Sequence, residues 1–310
     1  MHVETSRLAR ARTFELSART FLIVSVAAAV SLYVIVISGA VVRLTASGLG
    51  CESWPGCQAG AFFPASGYHS WVEFTNRIVS LFPITLTLVA WLAARRTPGL
   101  PGWLGPLALA TFLGTIGQAP LGLITILSDL HPLLVASHFL LALLVLAGAV
   151  VVALGAWGHV CGVAAPVVAP AVRWAGIALA GACLVLVVTG TLSTAAGPHS
   201  GGADIRRLGN LVDAVYVHVR ATAVFGVAFL VVLAALVRRR DRAPGLLRVA
   251  LAVLAVLLAQ MAVGEIQWRN ALPWGVVLVH VALAAAVWAG VVALVMLLWR
   301  PVAALVETRP

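Results

Sequence analysis

Residues 132–157 read Pro132-Leu-Leu-Val-Ala-Ser-His138-Phe-Leu-Leu-Ala-Leu-Leu-Val-Leu-Ala-Gly-Ala-Val-Val-Val-Ala-Leu-Gly-Ala-Trp157, a stretch without one Asp, Glu, Lys or Arg. At about 1.5 Å of rise per residue, a helix of that length outspans the roughly 30 Å hydrocarbon core of a bilayer. The apolar residues run continuously instead of alternating, so the segment reads as a membrane-spanning helix and not as a barrel strand. An open sheet edge would leave its backbone unpaired in lipid, which removes the remaining strand alternative. One imidazole, His138, interrupts the apolar run near its start.

Seven further runs of the same kind fall at 21–43, 72–94, 103–126, 172–193, 213–237, 246–264 and 275–298. The expected fold is therefore an all-α membrane protein of eight transmembrane helices. Composition agrees: 62% of the residues are hydrophobic and 10% charged, against about 25% charged in a soluble domain, and mean hydropathy is +1.07. The net charge of +10 comes from 20 basic residues, all Arg. No stretch interleaves aromatic with basic residues, so no nucleic-acid partner is expected; Arg instead reports topology. Arg7, Arg10, Arg12, Arg19, Arg95, Arg96, Arg173, Arg238, Arg239, Arg240, Arg242, Arg248, Arg300 and Arg309 fall on one side of the eight runs, which puts both termini in the cytoplasm. The first apolar run is too long for a signal-peptide core and reads as an uncleaved helix.

The expected organisation is a cytoplasmic arm (1–20), an N-terminal four-helix half (21–157) with an outer loop at 44–71, a cytoplasmic connection (158–171), a C-terminal four-helix half (172–298) and a cytoplasmic tail (299–310). The two halves read as a pseudo-repeat, because an offset of 142 carries Gln118 onto Gln260, His138 onto His280 and Asn76 onto His218.

Of eight His, only His138, His218 and His280 fall inside spans. Each lies five or six residues from the outer end of an even-numbered span, roughly 8 Å below the boundary. Asn76 sits at a similar depth, so four polar side chains could converge as two pairs, 76 with 138 and 218 with 280. A buried imidazole needs a partner. Either each His hydrogen-bonds a neighbouring helix, or His from opposed helices ligate metal, for which the matched depth favours haem iron over zinc. Arg77, beside Asn76, and Arg220, two residues after His218, need anions or snorkel to the headgroups; haem propionates suit guanidinium.

The first outer loop carries Cys51-Glu-Ser-Trp-Pro-Gly-Cys57, two Cys able to close a disulfide in an oxidising compartment, as a structural staple or a redox element. Cys161 and Cys183 read as unpaired thiols. Glu73, one turn before Asn76, shares its helix face and could relay protons or compensate the helix dipole. Its counterpart by the 142 offset is Val215, which confines acid–base chemistry to the first half.

The stretch Gly39-Ala-Val-Val-Arg43-Leu-Thr-Ala-Ser-Gly-Leu-Gly-Cys51, followed by Trp54-Pro55 and Cys57, together with Glu73-Phe-Thr-Asn-Arg77 and single His near the outer ends of three spans, resembles the haem A synthase family. The resemblance covers nearly the whole chain. It implies oxidation of a ring methyl of haem O to the formyl group of haem A by successive hydroxylations, for cytochrome c oxidase biogenesis, in the bacterial plasma membrane with the haem sites toward the outer face. It implies haem b as cofactor, ligated by His218 and His280, and haem O as substrate, held by His138, Asn76 and Arg77, with Glu73 and Asn76 as catalytic residues. Arg43 and Arg220 become propionate contacts, and the implied partners are haem O synthase, oxidase assembly factors and an electron donor. Family members commonly carry His where this chain has Asn76, so an iron position facing Asn76 would be open. A dihaem electron-transfer cytochrome without chemistry of its own is the alternative; a transporter, with polar residues at mid-span, fits less well.

Overall fold

The computed structural model describes residues 14–199, 201–202 and 205–306. Arg7, Arg10, Arg12 and Arg309 lie outside the described residues. Helix α1 spans Ala18–Leu44, α2 Tyr68–Val79, α3 Leu81–Arg96, α4 Leu104–Leu127, α5 Pro132–Cys161, α6 Pro170–Ala196, α7 Leu211–Val237, α8 Pro244–Arg269 and α9 Trp274–Trp299. Taken together, α2 and α3 make one of eight helices long and apolar enough to cross a membrane. Among the described residues there are no strands, only isolated bridges at Gln58–Ala61 and Val163–Val302.

Most helices run a few residues past the apolar segments that announce them, because caps and interfacial residues continue the backbone pattern. Pro132, Pro170 and Pro244 stand at first helical positions, where a missing N–H costs nothing. The second span is interrupted where the apolar run gave no warning. Pro83 has no N–H to return to the Val79 carbonyl, and the chain breaks at Ser80, whose hydroxyl donates to the Arg77 carbonyl at 2.6 Å.

In the first half α1 packs on α3 and α5, and α4 packs on the same two. In the second, α6 packs on α7 and α9, and α8 on the same pair. The second and fourth spans of each half thus occupy a diagonal, with no extensive packing of α2 or α3 on α5, nor of α7 on α9. Close approach of adjacent helices rests on glycine. A Cβ on Gly148 would stand 2.7 Å from Thr111 of α4, and one on Gly290 2.8 Å from Val253 of α8.

The halves meet through α1, α5 and α9, whose Leu32, Val36, Leu143, Leu146, Val291 and Leu294 share one buried core. Two directed contacts fix the register: Tyr33 Oη donates to the Ala282 carbonyl at 3.0 Å and Trp288 Nε1 to the Leu143 carbonyl at 2.8 Å. Two turns have the same backbone shape. Asp129 and Leu130 lie at φ 50° and 55°, Ala271 and Leu272 at 57° and 59°. In each turn the second of these residues returns its N–H five residues back, Leu130 to Thr125 at 2.9 Å and Leu272 to Gln267 at 2.8 Å. Consecutive left-handed non-glycine residues cost roughly 1–2 kcal/mol each, so neither turn is the default connection between helices.

Candidate functional site

His138 of α5, His218 of α7 and His280 of α9 all lie toward the same end of the bundle. Each ring rests against a glycine of the preceding span. A Cβ on Gly122 would stand 3.4 Å from His138 Cε1, one on Gly190 2.9 Å from His218 Cε1, and one on Gly264 3.1 Å from His280 Cε1. Each ring also meets a polar side chain there. The Gln118 amide nitrogen donates to His138 Nδ1 at 3.0 Å, with its oxygen accepting the Ala142 N–H at 2.8 Å. Thr189 Oγ1 lies 3.2 Å from His218 Nδ1, and the Gln260 amide nitrogen donates to His280 Nε2 at 3.1 Å. His280 Nδ1 is buried without a partner. Among the described residues no three His, Cys, Asp or Glu side chains converge on one point.

The site's second component is the loop leading into α2. Cys51 and Cys57 form a disulfide, buried with Phe74, over which Phe62 and Phe63 close edge-on at 5.4 and 5.6 Å. Glu73, 4% exposed, accepts the Cys51 N–H at 2.9 Å and pairs with Arg77 one turn on. Arg77 also donates to the Ser53 carbonyl at 2.8 Å and the Gly56 carbonyl at 2.5 Å. The anion that Arg77 needs is thus supplied from within the chain, and both Glu73 oxygens are engaged. Between these two residues in sequence, Asn76 Oδ1 is buried without a hydrogen bond. Gly50 lets the loop run against α2: a Cβ there would stand 2.5 Å from the His69 carbonyl oxygen. Ser70 Oγ donates to the Gly50 carbonyl at 2.6 Å, and Ser47 Oγ lies 2.9 Å from His69 Nδ1.

Arg43, at the end of α1, donates to the Thr194 carbonyl of α6 at 2.8 Å while its Nε is buried and unpaired. Beside it the outer loops of the two halves interlock. The Gly48 N–H donates to the Gly201 carbonyl at 3.1 Å, with the Leu130 side chain between the two glycines. Arg220 is exposed, donating to Tyr216 Oη at 2.8 Å and lying 4.0 Å over that ring. Sequence reading missed the residues that hold the histidines. Gly122 and Gly264 had a signal, since they share the 142 offset of the Gln and His pairs; Thr189 and Gly190 had none.

A family model described as "Cytochrome oxidase assembly protein" matches residues 64–292. Over 123 residues the chain is 30% identical to a protein of Shewanella oneidensis named heme A synthase, covering 34% of this chain and 36% of that one. Over 124 residues it is 35% identical to the heme A synthase of Symbiobacterium thermophilum, covering 39% and 40%. With that of Macrococcus caseolyticus the identity is 38% over 65 residues, 21% and 22% of the two chains. These alignments span between about a fifth and two fifths of the relatives' length. By the family match, which runs through most of its length, the chain belongs to this cytochrome oxidase assembly family, the family of the haem A synthases.

Proposed function

We propose that this chain converts haem O to haem A, a four-electron oxidation of one ring methyl by two hydroxylations, each consuming an external oxidant that inserts one oxygen, after which the geminal diol loses water to leave the formyl group. The observation that carries the reading is the trio of half-buried imidazoles at one end of the bundle, each against a helical glycine where a side chain would otherwise stand. On the α7–α9 diagonal, His218 and His280 are the residues that would hold haem b, and the unpartnered His280 Nδ1 fits a group that the chain itself does not supply. Haem b, when bound, supplies one-electron transfer.

In the N-terminal half His138 would hold the substrate haem and Asn76 would face it from α2, offering a hydrogen bond where an imidazole would have closed a coordination position. Glu73 Oε2, fixed by the Cys51 N–H, is the atom at which α2 can take up or release a proton. Arg77 positions that carboxylate and the loop carbonyls, which is its contribution to holding the substrate. Arg43, with its unpaired buried Nε, and Arg220 remain candidates for the propionates.

The proposed setting is the bacterial plasma membrane, with both termini cytoplasmic and the histidine end outward, supported by the arginines at the opposite end. Halves 21–157 and 172–298 as duplicated units are supported by the matched Gln–His pairs and by the two left-handed turns, themselves 142 residues apart. Haem O synthase, oxidase assembly factors and an electron donor are the partners such a reaction requires. The test is expression in a host that makes haem O, followed by haem extraction. Haem A or its hydroxylated precursor is expected; haem b alone, unchanged by Glu73→Gln, would instead favour an electron-transfer cytochrome.

A further inference from the structure

At the end of the bundle remote from the histidines, the start of α4 and the ends of α5 and α9 enclose a cavity of about 150 Å³. Leu154 and Met296 give it an apolar wall, and its polar lining includes the Trp103 indole, the His159 imidazole and the Arg300 guanidinium. Trp103 Nε1 is buried and has no acceptor. The ring cannot easily turn away, because it packs where Gly155 leaves room: a Cβ there would stand 2.8 Å from Trp103 Cη2. Arg300 lies 5.2 Å over the same ring. Among the described residues no carboxylate pairs with it.

A buried N–H without an acceptor is unfavourable unless one arrives from outside, and beside Arg300, exposed and without a carboxylate partner among the described residues, an anionic acceptor is favoured. The adjoining α9 residue repeats the pattern. Arg173 lies 4.8 Å over Trp299, and Arg173 Nε and Trp299 Nε1 are again buried without partners. Donors of this kind at the end of a membrane-spanning bundle stand at headgroup depth, and the wall formed by Leu154 and Met296 continues into the apolar region.

We infer that this cavity binds the phosphate of an anionic phospholipid. Arg300 supplies the charge, Trp103 Nε1 and His159 supply directed hydrogen bonds, and Leu154 and Met296 cover the first apolar part of the lipid. The bound headgroup joins three elements at the end of the bundle opposite the histidines: the starts or ends of α4, α5 and α9.

The test is native mass spectrometry of the full chain as purified, delipidated and titrated with phosphatidylglycerol, phosphatidylcholine or inorganic phosphate. Retention of phosphatidylglycerol over phosphatidylcholine is expected, weakened about tenfold by Arg300→Gln and about threefold by Trp103→Phe, which keeps the ring and removes the N–H. Arg248→Gln, an exposed arginine of α8 outside the cavity, should leave retention unchanged. An unaltered histidine-end haem spectrum shows that the variants fold. Equal phosphatidylglycerol retention by wild type and Arg300→Gln overturns the site. Inorganic phosphate binding as tightly as phosphatidylglycerol overturns the lipid as its source.

Discussion

Glu73 accepts the backbone N–H of Cys51 at 2.9 Å, so the acid of α2 and the start of the disulfide loop are one structural unit. Arg77 closes the unit from the next turn by pairing with Glu73 and holding the Ser53 and Gly56 carbonyls. Loop position and carboxylate position are therefore coupled. A displacement of the loop withdraws a hydrogen bond from Glu73, and loss of the carboxylate frees both the loop and the guanidinium.

This coupling separates two substitutions that a purely catalytic role would make equivalent. Glu73→Ala strands the half-buried Arg77 and the Cys51 N–H, and a loss of about 2–3 kcal/mol is expected. It should appear as a lower thermal midpoint in detergent and as faster proteolysis of the loop. Glu73→Gln keeps an acceptor for Cys51 while removing the charge, so it should lose much less stability. If the carboxylate also moves protons, Glu73→Gln abolishes haem A formation in a folded protein. Full product from Glu73→Gln would restrict Glu73 to holding the loop.

The glycines beneath the histidines give a graded prediction. A Cβ at Gly190 would come within 2.9 Å of His218 Cε1, at Gly264 within 3.1 Å of His280 Cε1, and at Gly122 only within 3.4 Å of His138 Cε1. Gly190→Ala must push the ring aside, Gly264→Ala by a few tenths of an ångström, whereas Gly122→Ala makes an ordinary contact. Haem b content per protein should fall several-fold in Gly190→Ala and less in Gly264→Ala, while retention of the substrate haem should stay unchanged in Gly122→Ala. A uniform response across the three would show that the rings do not depend on these contacts.

Ligand assignment is checked by His218→Ala and His280→Ala, each expected to remove the haem b absorption entirely. Asn76→His is the sharper experiment. Asn76 Oδ1 is buried without a partner, so an imidazole there would replace an unsatisfied group and should turn the substrate haem's spectrum toward a six-coordinate form. An unchanged spectrum would mean that residue 76 does not face the iron.

The spans were legible because lipid allows only structures that pair their own backbone, which makes a continuous apolar run nearly sufficient evidence for a helix. Asn76 and the three histidines stood out for the complementary reason, as rare polar residues within those runs. What escaped was set by contacts between segments distant in sequence. The break at Ser80 is the local exception, set by Pro83, whose ring cannot return an N–H to the Val79 carbonyl. That Arg77 is neutralised from within depends on the i,i+4 pair with Glu73 together with a loop folded back over both. Thr189 and Gly190 acquire meaning only when α7 brings His218 beside them.

Orientation can be tested with the chain's own thiols. Cys161 is the last residue of α5, at the arginine-rich end, and is exposed. Cys183 is 1% exposed, and Cys51 and Cys57 are joined, so a membrane-impermeant maleimide has one accessible target. If Arg95, Arg96, Arg173 and Arg300 mark the cytoplasmic face, intact spheroplasts should leave Cys161 unlabelled and inverted vesicles should label it fully, with Cys161→Ser abolishing the signal. The opposite pattern would turn the bundle over and place the disulfide loop in the reducing compartment. Structural disulfides seldom persist there, so the Cys51–Cys57 bond and the arginine distribution argue independently for the same orientation.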